Sequence, residues 1–500
     1  MTDKKIEKKV RVRFAPSPTG YLHIGNFRTA LYGYLFAKKN KGDFILRIED
    51  TDQKRQKSDA LERLIKLINW AGFDYSEGVY LENGKIVERG AFGPYIQSAR
   101  LKIYQKYAEK LINLGKAYYC FCTEERLNEM RKRQIAEKKP PMYDRTCLNL
   151  SQNEIKKRIR AGEKYVIRQK VETAGVTEYH DLIRQKVIIK NELLDDQILI
   201  KSDGYPTYNF ANVIDDHLMQ ITHVFRGEEY VSSTPKYIQL YNSFGWSVPE
   251  FVHLPLLLNP DRSKLSKRQG DVAVEDYISK GYLKEAIINF VALLGWNPGE
   301  GSTQEFFSLK ELIEKFDLSH IHKGGAVFDL KKLDWLNGKY IREKNDTELF
   351  ALCRPILVDY LGKNGWSFND DLLKKIISVE KMRLKNLAEI TGNIDFYFQL
   401  FPFDKEMARW KGMGDKELKK SLQKALKTLI EISEFDFENK IKLEEKLLTM
   451  AGEKRGEYLF PLRYALTRVG KSPSPFEVLW ILGKKESLSR LKLAIESLGG

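Results

Sequence analysis

The strongest restriction on the fold of this chain lies in how its first segments alternate. Residues 11–15 alternate as a strand does, Pro16-Ser17-Pro18-Thr19-Gly20 breaks the run, residues 25–39 read as a helix and 44–48 as a second strand. After Ser58 the apolar residues Leu61, Leu64, Ile65 and Ile68 fall at helical spacing. The order strand, helix, strand, helix favours an α/β fold with a parallel, doubly wound sheet, since parallel neighbours need a crossover long enough to hold a helix.

From about residue 78 to 194 the pattern loosens around a basic, helical stretch at 124–139 and the pair Pro140-Pro141, as expected of an inserted domain. Strand-like signal returns at 197–201 and at 221–225, the latter running into Arg226-Gly227-Glu228-Glu229, so the sheet is expected to resume there. Beyond Tyr340 the chain reads as helical. Leu418, Leu422, Ala425, Leu426 and Leu429 form one apolar stripe, Leu488, Leu491, Ile495 and Leu498 another, and lysines cover the far face of the first. There is no convincing internal repeat. A length of 500 residues predicts three or four domains.

Lysine and arginine number 84 against 68 acidic residues, a net charge of +16. This favours a polyanionic partner or anionic ligands, although a merely basic surface gives the same count. At 42% hydrophobic residues the chain has the apolar surface for several cores, which excludes wholesale disorder. Residues 1–10 are charged and no long apolar run follows, so neither a signal peptide nor a membrane helix is expected and the cytoplasm is the default. Cys120, Cys122 and Cys147 cluster and Cys353 stands apart, which is no disulfide framework and suits a reducing compartment.

Two segments carry the chemistry. Residues 13–26, RFAPSPTGYLHIGN, place a rigid turn, a histidine and a glycine between a strand's carboxyl end and a helix start, where unpaired backbone N–H groups attract phosphate. Gly20 and Gly25 have P-loop spacing, but Asn26-Phe27 stand where Lys and Ser or Thr belong, which argues against a Walker-type NTPase. The second segment, Lys264-Leu265-Ser266-Lys267-Arg268, sets three cations on a polar loop that could hold a polyphosphate, though such loops are more often plain solvated surface.

His-Ile-Gly-Asn early and Lys-Leu-Ser-Lys-Arg some 240 residues later together resemble the paired signatures of class I aminoacyl-tRNA synthetases. Ala15 to Gly20, Arg47-Ile48-Glu49-Asp50-Thr51-Asp52, Gly93-Pro94-Tyr95, residues 202–216 and Phe328-Asp329-Leu330 narrow the resemblance to the bacterial type of glutamyl-tRNA synthetase. It implies a Rossmann-type catalytic domain over 1–81 and 206–252, an acceptor-stem insertion over 82–205, a stem-contact domain over 253–343 and an all-helical anticodon-binding region over 344–500. It also implies an activity: glutamate is joined to ATP as the adenylate and passed to the terminal adenosine of tRNA(Glu). ATP would bring its own Mg²⁺.

By the same resemblance His23 and Lys267 are catalytic, and His23, Gly25, Glu229, Lys264, Ser266 and Lys267 hold ATP. Arg13 and Arg226 take the carboxylate ends of glutamate, Glu49 its ammonium, and Ala15, Ser17, Tyr208 and Asn212 complete the pocket. Taken singly, any of these charged residues would read as a surface ion pair. Asp50 and Asp52 are two carboxylates that can hold magnesium, but Thr51 and Asp52 equally read as a helix-capping turn, and the structural reading is favoured. Cys120, Cys122 and Cys147 resemble the zinc site of some members, but Asn149 stands where histidine is common. Tyr143 could supply a fourth donor, and zinc and a degenerate site of reduced thiols both stay open, with no metal ligand assigned.

Rival readings are an enzyme that also charges tRNA(Gln) and a non-catalytic RNA-binding paralogue, the latter expected to show eroded signatures. A glutaminyl or archaeal-type enzyme would end in β-barrels, and a truncated tRNA-modifying relative would lack the last region. Arg383 and Lys385 are candidates for reading the anticodon, and a monomer is expected.

Overall fold

The computed structural model describes residues 9–55, 57–265 and 272–499. The chain forms two compact units, one of residues 1–278 with 287–330 and the other of 279–286 with 331–500.

The first unit is built on a large sheet. Its strands are β1 (Arg11–Phe14), β2 (Asp43–Leu46), β3 (Glu77–Glu82) and β4 (Lys85–Arg89), with β7 (Val176–Asp181), β8 (Gln185–Lys190), β10 (His223–Gly227) and β11 (Glu250–Leu254). The missing numbers belong to a separate three-stranded sheet, β5 (Ala117–Cys120), β6 (Val166–Gln169) and β9 (Ile198–Ile200). In space the eight strands run β4-β3-β2-β1-β10-β11-β7-β8; the six from β3 to β7 are parallel, and an antiparallel hairpin closes each edge. The order reverses between β1 and β10, leaving a crevice beyond their carboxyl ends, the usual place for a ligand in a doubly wound sheet. The parallel strands are buried on both faces, as Val12, Ile45, Val224 and Val252 show at 0–2% exposure.

Sequence and structure part at three points. The strand signal at 197–201 is real, but β9 joins the small sheet, and the signal at 221–225 is the one that belongs to the large sheet, as β10. Residues 176–190, inside the stretch 82–205, pair through β7 with β11 of the large sheet. The edge hairpin β3–β4 crosses the junction at 81–82.

Helix α1 (Ile24–Lys39) crosses from β1 to β2 and α2 (Ala60–Ala71) from β2 toward β3. The small sheet packs against α3 (Leu101–Asn113) through one apolar core. That core contains Tyr104 and Leu111, Ile167 and Leu199, and Phe210 and Ile214 of the helix Tyr208–Leu218.

In the second unit the stripe along helix Asp415–Glu431 is the core face: Leu418, Leu422, Ala425 and Leu429 are wholly buried and Leu426 partly so. Leu491 is buried likewise, with Leu488, Ile495 and Leu498 packed beside it. Among the described residues no strand follows Val327, so this end of the chain is helical as expected.

Candidate active site

The turn Pro16–Gly20 delivers the chain into α1 with His23 as N-cap, its backbone extended and its Nδ1 accepting the Gly25 N–H at 2.9 Å. A nitrogen that accepts carries no proton, so the neutral imidazole carries its proton on Nε2. Gly25 makes this fold-back possible, since a Cβ there would stand 3.1 Å from His23 Nδ1. The first turn of α1 contains no acidic residue, so its positive end is not neutralised from within.

The amides of that turn correct the expectation drawn from sequence. Ile24 N–H donates to Val272 O, Gly25 N–H to His23, and the N–H groups of Asn26 and Phe27 to His23 O at 2.9 and 3.0 Å. All four are therefore satisfied inside the protein, and what the helix offers an anion is its dipole and the imidazole rather than bare amides. Residues 272–274 pair with 22–24, and Lys264 bridges Leu258 from an exposed position. The two signature segments are thus tied to neighbouring backbone, while Ser266 and Lys267 themselves lie outside the described residues.

Between the ends of β1 and β10 lies a cavity of about 420 Å³, lined by Arg13, Ala15, Ser17, Glu49, Tyr208, Arg226, Glu229 and Tyr230 among others. Behind it sits a buried charge network. Asp216 accepts from Arg13 Nε at 2.9 Å and Arg13 Nη2 at 3.2 Å, and from Arg47 Nη1 at 2.7 Å. Arg47 Nη2 donates to Glu49 at 2.9 Å, and Asp215 accepts from Arg100, Gln97 and Tyr104 at 2.7–2.8 Å. Burial would raise the Asp216 carboxyl, but the charges of Arg13 and Arg47 outweigh it and hold the group below its ordinary value. Burial also raises Glu49, and its proximity to Arg47 and Arg13 does not fully offset this. Three guanidinium groups here face three carboxylates, so the network is close to neutral.

Arg226 is different. It is 5% exposed, and among the described residues no carboxylate forms a salt bridge with it. Its Nε donates to His253 Nε2 at 3.1 Å and its Nη2 to Thr234 Oγ1 at 3.0 Å, while Tyr230, Tyr237 and Phe251 surround the guanidinium at 4.6–5.5 Å. Its Nη1 has no partner among the described residues. A desolvated cation without a counter-ion is costly, and its location on the cavity wall invites an anionic ligand.

The doubly wound sheet, a switch-point cavity with an unpaired guanidinium and a histidine-capped helix agree with what known proteins show. Residues 9–335 match the family described as tRNA synthetases class I (E and Q), catalytic domain, and residues 348–495 match the anticodon binding domain. This chain belongs to the class I tRNA synthetases of the E and Q family. Relatives include proteins named glutamate–tRNA ligase from Clostridium botulinum, 48% identical over 98% of this chain and 99% of theirs, and from Clostridium tetani, 46% identical over 98% of both. A crystal structure of a glutamate tRNA ligase from Elizabethkingia meningosepticum in complex with its amino acid superposes with a TM-score of 0.87 at 36% identity, covering 98% of this chain and all of that one.

Of the residues singled out from the sequence of this synthetase, Arg13, Ala15, Ser17, Glu49, Tyr208, Arg226 and Glu229 meet at one cavity. Asn212 is buried behind it, its side-chain amide donating to Tyr208 O at 2.8 Å, and His23 lines a smaller adjoining cavity of about 160 Å³ with Pro16 to Leu22. Asp50 accepts the Ser98 N–H at 2.7 Å. Residue-by-residue reading missed Arg47, Asp216, Thr234 and His253. Of these only His253, a lone polar residue in the apolar strand Phe251-Val252-His253-Leu254, carries a local signal that could have found it.

The thiol cluster of the synthetase can be tested against a metal. The sulfur atoms of Cys120, Cys122 and Cys147 all lie within 4.8 Å of one another, with Cys122 and Cys147 3.6 Å apart. Tyr143 OH stands 3.3 Å from Cys120 Sγ and 3.4 Å from Cys122 Sγ, whereas Asn149 is exposed. Zn–S bonds of about 2.3 Å and a Zn–O bond of about 2.0 Å in a tetrahedron give edges of this size, so the donor set fits zinc. The hydrogen bond to Cys147 lowers the Cys120 thiol, against the cost of burial.

Proposed function

We propose that this synthetase is a glutamate–tRNA ligase that activates L-glutamate with ATP and transfers it to the 3′-terminal adenosine of tRNA(Glu). The observation that carries this reading is Arg226, a buried cation without a carboxylate partner on the wall of a cavity whose other buried charges cancel. An amino acid with a carboxylate side chain supplies the missing charge, and an amide side chain does not, so glutamate is favoured over glutamine.

Arg226 binds the side-chain carboxylate and Glu49 the ammonium, while Arg13, tied to Asp216, completes the wall rather than contributing a free charge. The α-carboxylate of glutamate then attacks the α-phosphorus of ATP in line, the bond to pyrophosphate breaks, and glutamyl-adenylate forms. The His23 Nε2–H and the positive end of α1 meet the phosphates, and Lys267 neutralises charge growing on the leaving group. In the second step a hydroxyl of the terminal ribose attacks the acyl carbon and AMP departs. Mg²⁺ enters with ATP. The chain keeps both signatures and the site residues, which favours this enzyme over a non-catalytic paralogue.

We also read residues 176–190 as part of the catalytic sheet, so that the acceptor-stem insertion is confined to the small sheet and its helices. Zinc held by Cys120, Cys122, Cys147 and Tyr143 would cross-link that insertion structurally. Elemental analysis of protein purified without chelator should find close to one zinc per chain; none would assign the cluster to reduced thiols.

Aminoacylation of purified tRNA(Glu) and tRNA(Gln) side by side tests the main reading. Acid-labile glutamyl-tRNA(Glu) is expected; its absence with both tRNAs, despite ATP and glutamate in excess, would reject it. Charging of tRNA(Gln) as well would establish the less selective enzyme.

A further inference from the structure

Three neighbouring strands carry polar residues near their carboxyl ends, and two of these, His253 and Asp181, have no part in the proposed reaction. Arg226 on β10 stands in register with His253 on β11, and Asp181 ends the next strand, β7. His253 and Asp181 are both wholly buried. Arg226 Nε donates to His253 Nε2 at 3.1 Å, and His253 Nδ1 lies 2.7 Å from Asp181 Oδ2. An Nε2 that accepts from a guanidinium has no proton, so the ring proton is on Nδ1 and is donated to Asp181. Asp181 is itself immobilised: it also accepts the N–H groups of His253, Ile183 and Arg184 at 3.1, 3.0 and 2.8 Å. The result is a relay across three neighbouring strands that ends on Arg226, the buried arginine of the cavity wall with no carboxylate salt bridge among the described residues.

We propose that Asp181 and His253 are positioning residues that hold the Arg226 guanidinium in its substrate-binding orientation, with His253 acting as a neutral acceptor whose tautomer is fixed by Asp181. The proposal rests on the reading that Arg226 binds the side-chain carboxylate of glutamate. The physical reason is division of labour among donors. Nε is held by His253 and Nη2 by Thr234, so Nη1 is left at a fixed angle for the ligand. Without the histidine acceptor the guanidinium can rotate, and ordering it again must be repeated at every binding event. The relay begins at the turn of the β7–β8 hairpin, which gives that edge hairpin a purpose beyond covering the sheet edge.

The relay also predicts a pH dependence. Groups facing His253 are Asp181, Arg184 and Tyr179 from the hairpin and Arg226 from β10, with the neutral Thr234 from helix Thr234–Phe244. Burial and the nearby arginines keep the imidazole neutral to below its ordinary range, although Asp181 opposes them. Once protonated it no longer accepts from Arg226 and repels it, so the KM for glutamate should rise as pH falls through the imidazole's lowered value. Glu49, raised by burial, would give an acid limb of its own on protonation, and the variants below separate the two.

The test uses the full-length enzyme with tRNA(Glu), measuring KM for glutamate and kcat between about pH 5 and 8. His253→Phe keeps the ring volume and removes the acceptor. KM for glutamate should rise roughly tenfold or more, the size expected from losing one hydrogen bond to a charged group, with kcat and KM for ATP changed much less. His253→Gln offers a carbonyl to Arg226 and an amide N–H to Asp181 without titrating. It should restore KM near neutral pH and flatten its acid rise. Arg226→Lys is the control for the underlying reading. If it leaves KM for glutamate unchanged, Arg226 is not the carboxylate site and the relay falls with it. If Arg226→Lys raises KM while His253→Phe does not, the reading stands and the relay is overturned. Should His253→Phe fail to fold, the His253→Gln profile decides: an acid limb identical to the unmodified enzyme assigns it to Glu49 and refutes the relay.

Discussion

At the scale of single residues, the site depends on which charges already have partners. Arg13 and Arg226 read alike in the sequence, yet Arg13 is gripped by Asp216 and Arg226 by neutral groups only. Removing the charge of Asp216 should therefore harm folding more than any single cavity residue, because two buried guanidinium groups would lose their common partner. Asp216→Asn is expected to cost about 3–5 kcal/mol in denaturant unfolding. The acid behaviour follows from the sign of the shift. A carboxyl held below its ordinary value in the native state contributes stability that is complete at neutral pH and is lost as pH falls through that lowered value. The Asp216→Asn variant should accordingly lose less stability than the parent as pH falls below the ordinary carboxylate range. Candidate residues were legible from the sequence as a set, but their ranking was not, since a pairing across 203 residues of sequence decides it.

At the scale of elements, the start of α1 does two things with one side chain. His23 caps the helix through Nδ1 and presents the proton on Nε2. Asparagine is also a good cap but cannot reach as imidazole does, so His23→Asn and His23→Ala separate the functions. His23→Asn should keep thermal stability near the parent, and His23→Ala should lose about 1 kcal/mol more. Both should lower ATP–pyrophosphate exchange on the order of a hundredfold; an Asn variant with parental exchange would make the histidine a cap alone. In the second unit the apolar stripe of helix Asp415–Glu431 was readable from spacing because its period matches the helix. Leu422, wholly buried there, should cost about 2–5 kcal/mol of that unit's stability when changed to alanine, measured by thermal unfolding. Edge hairpins left a fainter mark: the outermost strands β4 and β8 are largely exposed, so no buried face marks them as part of the large sheet.

At the scale of the whole molecule, a net charge of +16 and an anionic nucleic-acid substrate make tRNA binding an electrostatic problem. Affinity for tRNA should fall on the order of a hundredfold or more between roughly 50 and 200 mM salt, as bound counterions are released by phosphate contacts. The KM for glutamate should move far less, because the Arg226 pocket is buried and little screened. Filter binding and steady-state kinetics over the same salt series would check both. Equal salt slopes for the two quantities would contradict this division.

Local order in the chain was enough to determine the alternation of strand and helix at the start, the helical end, the turn that carries His23 and the family these imply. These follow from short-range periodicity and from residue types that only certain backbones tolerate. The tertiary structure alone decided that the amides ahead of α1 are already bonded, that β7–β8 joins the large sheet, and that Asp181, His253 and Arg226 form one line across three strands. Such outcomes depend on which distant groups compete for the same hydrogen bond or charge, and no spacing along the chain records the result of that competition.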